Sequence, residues 1–307
     1  MVISRSRRQP AFKILASGQG WHVQDLFRAA TGLDITISCS LFQNLSHQIN
    51  AHASDHVVVM AGVDRLDEMD AILVRMMPPA SLERVIFRMD MLHRLHESGI
   101  PVINPPRTIE MAVDKALSLS RLASLGVSVP ATWVGESPED ALLAFEQLGG
   151  DVVCKPIFGS EGKGLVRIQD REIAWRVFHA LNHSGSVIYL QQFLENPGYD
   201  YRAFFLNGQI IALMRRRSSG TDWRTNVSQG GKPESVGSIT PEMQTIVEKT
   251  ARIMGGMILG IDVLEDSEGH LHVLEVNGVP GWRAISQVTG VDVPREWLLA
   301  VKATVKS

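Results

Sequence analysis

Short apolar runs alternate with amphipathic stretches over the first hundred positions. Phe12 to Ala16 reads as a strand, Ser17-Gly18-Gln19-Gly20 as a turn, and His22 to Ala30 as a helix. Strand-like runs follow at Val57 to Met60 and Ala71 to Met76, then a helical pattern from Leu82 to Glu97 closed by Gly99, and a strand over Ile100 to Ile103. Alternating strands and helices predict an α/β unit with a largely parallel sheet, ending at Asn104-Pro105-Pro106.

Beyond that boundary the pattern changes. A helix is predicted over Thr108 to Leu125 with Gly126 after it, then a strand over Val129 to Val134. Ser137 can cap and Pro138 can open a helix that runs to Leu148, where Gly149-Gly150 stops it. Strands over Asp151 to Lys155 and Leu165 to Ile168 flank the glycine-rich Ile157 to Gly164. The last third reads as strands Val187 to Leu194, Asp200 to Leu206 and Gln209 to Met214, then a polar-basic loop from Arg215 to Gly231. A helix opened by Thr240-Pro241 and closed by Gly255-Gly256 leads into two β-rich runs, Ile261 to Leu264 and Leu271 to Val276. These flank the turn residues Asp266-Ser267-Glu268-Gly269 and form a hairpin pattern. The expected class is α/β followed by α+β, in units 1–105, 106–190 and 191–307.

A length of 307 residues suits more than one lobe, and a net charge of −3 implies no general nucleic-acid or membrane surface. No run approaches the roughly 18 apolar residues of a membrane span. Cys39 and Cys154 stand far apart without metal spacing, so a reducing cytoplasm is expected, with both as packed small hydrophobes. Gly18 and Gly20 match two glycines of a dinucleotide fingerprint, but position 23 is Val, so that motif and the oxidoreductase it would suggest are weak. Residue 164 is Gly where a Walker loop needs Ser or Thr, and the glycine turn joins two strands, so the Walker reading is rejected.

Candidate chemistry concentrates in the hairpin. Asp262 near the start of its first strand meets Glu275 and Asn277 near the end of its second. Glu275 and Asn277 are two residues apart, so both can share one face beside Asp262. Two carboxylates and an amide oxygen suit Mg²⁺ holding nucleotide phosphates. Lys115, in a helix, and Lys155, before the glycine loop, can cradle polyphosphate oxygens together with the loop's backbone N–H groups. Arg202, Arg215, Arg216, Arg217 and Arg224 add fixed positive charge. In a strand Arg216 points away from Arg215 and Arg217, and Arg202 with Arg215 is the expected anion clamp.

The stretches K-P-I-F-G-S-E-G-K-G-L (Lys155 to Leu165), Y-L-Q-Q-F-L (Tyr189 to Leu194), D-Y-R (Asp200 to Arg202), W-R-T-N (Trp223 to Asn226) and L-E-V-N-G-V-P-G (Leu274 to Gly281) together resemble the ATP-grasp superfamily, and within it the RimK-like glutamate ligases. The resemblance covers the chain from about Pro101 onward. It implies an ATP-grasp fold with an N-terminal Rossmann-like domain, and an ATP- and Mg²⁺-dependent (or Mn²⁺-dependent) ligase joining a carboxylate to an amine through an acyl phosphate. By that resemblance Lys115, Lys155, Gly159, Ser160, Gly162, Lys163 and Gly164 contact phosphates, and Gln192, Phe193 and Leu194 form the adenine hinge. Asp262, Glu275 and Asn277 hold the metal, while Arg202, Arg215 and Asn226 face the reacting phosphoryl and acyl groups.

Gln192 stands where relatives often have Glu, and Gln229 where ribosomal-protein-modifying members tend to carry Arg. Trp282-Arg283 looks like the branch that adds glutamate to tetrahydromethanopterin-type carriers, with Trp282 stacking on a pterin and Arg283 holding a carboxylate. Small-molecule partners are therefore expected, glutamate and a pterin-like acceptor, with no nucleic acid, no membrane and a homo-oligomeric assembly. A ligase acting on a protein or peptide C-terminus, and a non-catalytic ATP-binding module, are the alternative readings.

Overall fold

The computed structural model describes residues 8–49, 57–159, 164–219 and 223–306. Its first unit contains β1 (Ala11–Ala16), α1 (Trp21–Ala30), β2 (Thr36–Leu41), β3 (Leu45–Ile49), β4 (Val57–Ala61), β5 (Asp64–Arg65), β6 (Ala71–Val74), α2 (Leu82–Glu97) and β7 (Val102–Ile103). A parallel sheet runs in the order β2-β1-β6-β7, with a small antiparallel sheet β3-β4-β5 beside it. The interior strands β1 and β6 are buried almost throughout, which fits a sheet covered on both faces. The edge strand β2 was not anticipated, because Thr36-Ile37-Ser38-Cys39-Ser40-Leu41 mixes small polar residues among its apolar ones.

The middle of the chain forms α3 (Pro106–Val113), α4 (Lys115–Ser124), β8 (Thr132–Gly135), α5 (Pro138–Gln147), β9 (Val152–Cys154), β10 (Val166–Ile168), α6 (Arg171–His183) and β11 (Ile188–Gln192). Its sheet is antiparallel, in the order β10-β9-β11-β8. The single helix expected over Thr108 to Leu125 is two. Asp114 adopts an extended backbone, and its side chain accepts a hydrogen bond from the Leu117 N–H at 2.9 Å, so α3 stops and α4 begins with Lys115 in its first turn. Apolar periodicity continues across this break, which is why the pattern reads as one helix. Helix α6 was also not anticipated; Asp170 caps it by accepting from the Ile173 N–H at 2.9 Å.

The last third holds β12 (Tyr199–Leu206), β13 (Gln209–Arg217), β14 (Lys232–Ser235), α7 (Pro241–Met254), β15 (Ile258–Glu265), β16 (Leu271–Asn277), α8 (Arg283–Thr289) and α9 (Val293–Lys306). The five strands pair in the order β14-β13-β12-β15-β16. Strand β13 continues through Arg217, so Arg215, Arg216 and Arg217 are strand residues and not part of the expected loop.

Core packing crosses the units inferred from sequence. Met111, Ala112, Leu119 and Leu122 of α3 and α4 share one core with Ala203, Val263 and Val276 of the five-stranded sheet and Val247 of α7. Trp297, Leu298 and Val301 of α9 join Ile14, Leu26 and Leu73 of the first unit. Among the described residues no helix is long and apolar enough to cross a membrane. Cys39 and Cys154 are free thiols; Cys154 is buried, which pushes its pKa up to about 11.

Candidate active site

The five-stranded sheet builds the site from its register. Asp262 lies directly opposite Glu275, Gly260 opposite Asn277, Arg202 opposite Asp262, and Asp200 opposite Arg216. Opposed residues project to one face, so Asp200, Arg202, Arg216, Asp262, Glu275 and Asn277 share it. Two β-bulges make this possible. In β13 the extra residue is Ile211, and in β16 it is Leu274. Running the turn-proximal register of β15 and β16 on without a bulge would set Asp262 opposite Leu274 and turn Glu275 to the other face, since a slip of one residue reverses every side chain.

The bulge at Ile211 reverses the arginine assignment. The turn Asn207-Gly208 starts β12 and β13 with Leu206 opposite Gln209, and an unbroken register would then pair Asp200 with Arg215. The inserted residue pairs Asp200 with Arg216 instead. As expected, Arg216 faces away from Arg215 and Arg217, but Arg216 is the one in the site. It is buried, with Nε and Nη2 donating to Asp200 at 2.7 and 2.5 Å and Nη2 lying 3.1 Å from Asp262. Arg215 and Arg217 bind Glu234 and lie against Tyr199 on the opposite face, so Arg215 lines neither cavity described below.

Arg202 grips Asp262 with two nitrogens, Nη2 to Oδ2 at 2.7 Å and Nε to Oδ1. Burial would push the Asp262 carboxyl up, but Arg202 and Arg216 outweigh it and hold Asp262 below the usual range, so it remains ionised. A Cβ on Gly260 would come within 3.3 Å of Arg202 Nη1 and 2.9 Å of Pro280, so a glycine there makes room for this arginine.

Lys155 is buried, and its Nζ donates to Gln191 Oε1 at 2.9 Å and sits 5.0 Å from the Tyr189 ring centre. Burial lowers its pKa to about 8; Glu275 and Asp262 pull it up and Lys115 pushes it down. Lys115 Nζ donates to the carbonyls of Gly159 at 2.6 Å and Ile157 at 3.3 Å, bracing the glycine turn between β9 and β10. Gly159 and Gly164 both have positive φ, of 156° and 76°. Ser160, Gly162 and Lys163 lie outside the described residues, as does the side chain of Gln229.

A cavity of about 120 Å³ lies between the four-stranded sheet of the middle unit and the five-stranded sheet, walled by Lys115, Lys155, Gly159, Gln192, Phe193 and Leu194 with the apolar Val153, Leu165, Leu264 and Leu274. The N–H groups of Gln192 and Phe193 donate to the carbonyls of Ala131 at 2.8 Å and Asp151 at 3.0 Å, which fixes this wall. A larger cavity of about 610 Å³ reaches from Arg202, Asn277 and Val227 to Gly18, Trp21 and Arg75 of the first unit. Arg216, Asn226, Asp262 and Glu275 line both, so the charged cluster stands where one cavity meets the other. The sequence reading missed Asp200, Arg216 and Gln191. Asp200 shares strand parity with Arg202, which was a readable signal; the bulge behind Arg216 had none.

The residues fit Mg²⁺. Among the described residues Glu275 makes no hydrogen bond or ion pair. The Asn277 Nδ2 donates to the Gly260 carbonyl at 3.4 Å, leaving Oδ1 as an acceptor. Also among the described residues, no three His, Cys, Asp or Glu side chains gather in metal-binding geometry. The Glu275 carboxylate and the Asn277 Oδ1 are thus the open oxygen donors, beside an Asp262 whose two oxygens are shared with Arg202 and Arg216, and positions are left for phosphate and water, as Mg²⁺ prefers.

The Trp282 and Arg283 expectation divides. Trp282 is 0% exposed, its Nε1 donates to Asp25 at 2.8 Å, and it packs on Trp297 and under Arg75, so it cannot stack on a ligand. Arg283 is exposed and lines the larger cavity.

Comparison with known proteins identifies the family. Residues 112–301 match the RimK-like ATP-grasp domain. The chain is 32% identical over 266 residues, 78% of this chain and 81% of the other, to the tetrahydromethanopterin:alpha-L-glutamate ligase of Methanosarcina acetivorans. It is 33% identical over 204 residues, 66% and 67% of the two chains, to the ribosomal protein bS6--L-glutamate ligase of Escherichia coli O139:H28. Among solved structures, the ATP-grasp ligase PsnB complexed with a phosphomimetic variant of its minimal precursor, Mg and ADP superposes with a TM-score of 0.77 at 19% identity, covering 97% of this chain and 100% of that one. With its charged cluster set where two cavities meet, the chain belongs to the RimK-like ATP-grasp family and is an ATP-grasp ligase.

Proposed function

We propose that this ligase adds glutamate to a carboxylate of a tetrahydromethanopterin-type pterin. The observation that carries the ligation geometry is the position of Arg216, Asn226, Asp262 and Glu275 at the junction of a lysine-lined cleft and a larger cavity. That arrangement suits transfer from a nucleotide on one side to a reactant on the other. An acceptor carboxylate oxygen attacks the γ-phosphorus of ATP and ADP leaves, giving an acyl phosphate. The glutamate nitrogen then attacks the acyl carbon, inorganic phosphate departs and the nitrogen loses a proton.

Lys155, Lys115 and the glycine turn hold the phosphates. Arg202, Arg216 and Asn226 face the transferring group, where fixed positive charge offsets the charge that develops. Held by Asp262, Glu275 and Asn277, Mg²⁺ would neutralise phosphate charge. Positioning and electrostatics suffice, and no side-chain nucleophile is needed.

The pterin reading rests on the similarity to tetrahydromethanopterin ligases of three archaea, at 32%, 37% and 34% identity. Trp21, 41% exposed at the wall of the larger cavity, provides the accessible ring that Trp282 does not. The test is phosphate release from Mg-ATP with glutamate, comparing a tetrahydromethanopterin-type pterin with a glutamate-ended peptide, with product masses recorded. A glutamate-sized gain on the pterin is expected; gain on the peptide alone would assign the chain to protein modification.

A further inference from the structure

The far wall of the larger cavity carries a cation that the reaction scheme above does not use. Arg75 follows β6 and is 6% exposed, yet it lines this cavity. Its Nε and Nη1 find no hydrogen-bond partner among the described residues. Its guanidinium lies 4.4 Å from the Trp282 ring centre and 5.8 Å from that of Trp297, which shield one side without neutralising it. Among the described residues no carboxylate pairs with it, and burial lowers its pKa to about 9, so it stays charged at neutral pH. A buried, unpaired guanidinium is costly unless an anion completes it.

A second feature meets the first. Helix α1 begins on the same wall without a side-chain cap and without an acidic residue in its first turn. Its leading N–H groups therefore form the positive end of a helix dipole. Gly18 and Gly20 line the cavity beside it, and a Cβ on either would meet nothing within 4 Å. The fold does not demand glycine at these places; what glycine leaves there is room for a ligand to approach the backbone. His22 Nε2 also lacks a partner among the described residues, and burial, then Arg75, lower its pKa to about 4, so it is a neutral hydrogen-bonding neighbour.

We propose that Arg75 and the N-terminus of α1 form the subsite for a non-reacting carboxylate of the incoming amino acid. This rests on the ligase reading above. The activated carboxylate must lie at the Lys155 and Glu275 end, against the phosphates. A small amino acid such as glutamate, with its nitrogen at the acyl carbon, extends one of its two unreacted carboxylates toward the opposite wall. An enclosed arginine suits that small reactant, whereas the larger acceptor enters from solvent past Arg283 and Trp21.

The test varies both partners. In Arg75→Met, KM for glutamate should rise about 30-fold or more while KM for ATP and for the acceptor stay within about twofold. Arg75→Lys should recover part of the loss. An unchanged glutamate KM, or a rise confined to the acceptor, overturns the proposal. If Arg75→Met does not fold, the wild-type protein decides by titration with glutamate, glutamine and glutamate α-amide in Mg-ADP, followed by tryptophan fluorescence. One of the amides should bind at least about 30-fold more weakly than glutamate, and equal binding of all three overturns the subsite. Because this titration needs no turnover, failure to ligate glutamate to any acceptor counts against the function, and failure of the carboxylate to matter counts against the subsite.

Discussion

At the scale of single residues, the site depends on which charges share a face. Replacing Arg216 by Met leaves Asp200 and Asp262 buried beside each other with one guanidinium fewer. The expected loss is about 3–5 kcal/mol in denaturant unfolding, together with most of the activity. Arg215→Met removes a half-exposed ion pair with Glu234 on the opposite face and should leave the unfolding midpoint and turnover nearly unchanged. Glu275→Ala should lower Mg-dependent turnover about 100-fold or more while the melting temperature changes little, because no described bond of the fold depends on that carboxylate.

Lys155 gives a pH signature. Its folded pKa of about 8 lies below the ordinary 10.5, so the stability contributed by this group is present above pH 10.5 and is lost as pH falls through about 8. Phosphate affinity moves the other way, because only the ammonium attracts phosphate and it disappears as pH rises through about 8. In initial-rate profiles KM for ATP should climb between pH 8 and 9, and a Lys155→Met enzyme, weak throughout, should show no such climb.

At the scale of elements, caps and bulges position the chemistry. Asp114 ends α3 and starts α4, which places Lys115 at the glycine turn. Asp114→Ala should destabilise the fold by about 1 kcal/mol in thermal melts and raise KM for ATP, whereas Asp114→Asn, which keeps the cap, should do neither. The hairpin of β15 and β16 was legible from its turn residues and apolar runs, as was the glycine turn between β9 and β10. Helix α6 and strand β2 were not, and neither was the break at Asp114, since a strong cap inside a periodic apolar pattern does not interrupt the pattern.

At the scale of the whole molecule, the end of the chain returns to its beginning. Trp297 is fully buried among residues of the first unit, and Arg28 of α1 holds Asp292, just before α9, with two hydrogen bonds of 2.8 and 2.7 Å. Trp297→Ala should cost about 3–5 kcal/mol in denaturant unfolding. It should also weaken catalysis, because Trp297 flanks Trp282 and Arg75 at the wall of the larger cavity. The same packing corrects the role expected of Trp282, whose ring is a support for Arg75 and not a surface for substrate.

Residue identity and spacing determined by themselves that a glycine turn would follow Lys155, that a hairpin would carry Asp262 on one strand and Glu275 and Asn277 on one face of the other, and that the whole pattern resembles an ATP-dependent ligase. Those features are local, set by turn chemistry and by the period of two along a strand. Only the tertiary structure decided which arginine enters the site and that Glu275 faces Asp262, because single inserted residues at Ile211 and at Leu274 reverse strand parity and leave no mark in composition. It also decided that Arg75, distant in sequence from the ligase motifs, lines the cavity they open into. Long-range packing of α9 on the first unit and the register of paired strands depend on the shape of the whole core, and no stretch of sequence carries that shape alone.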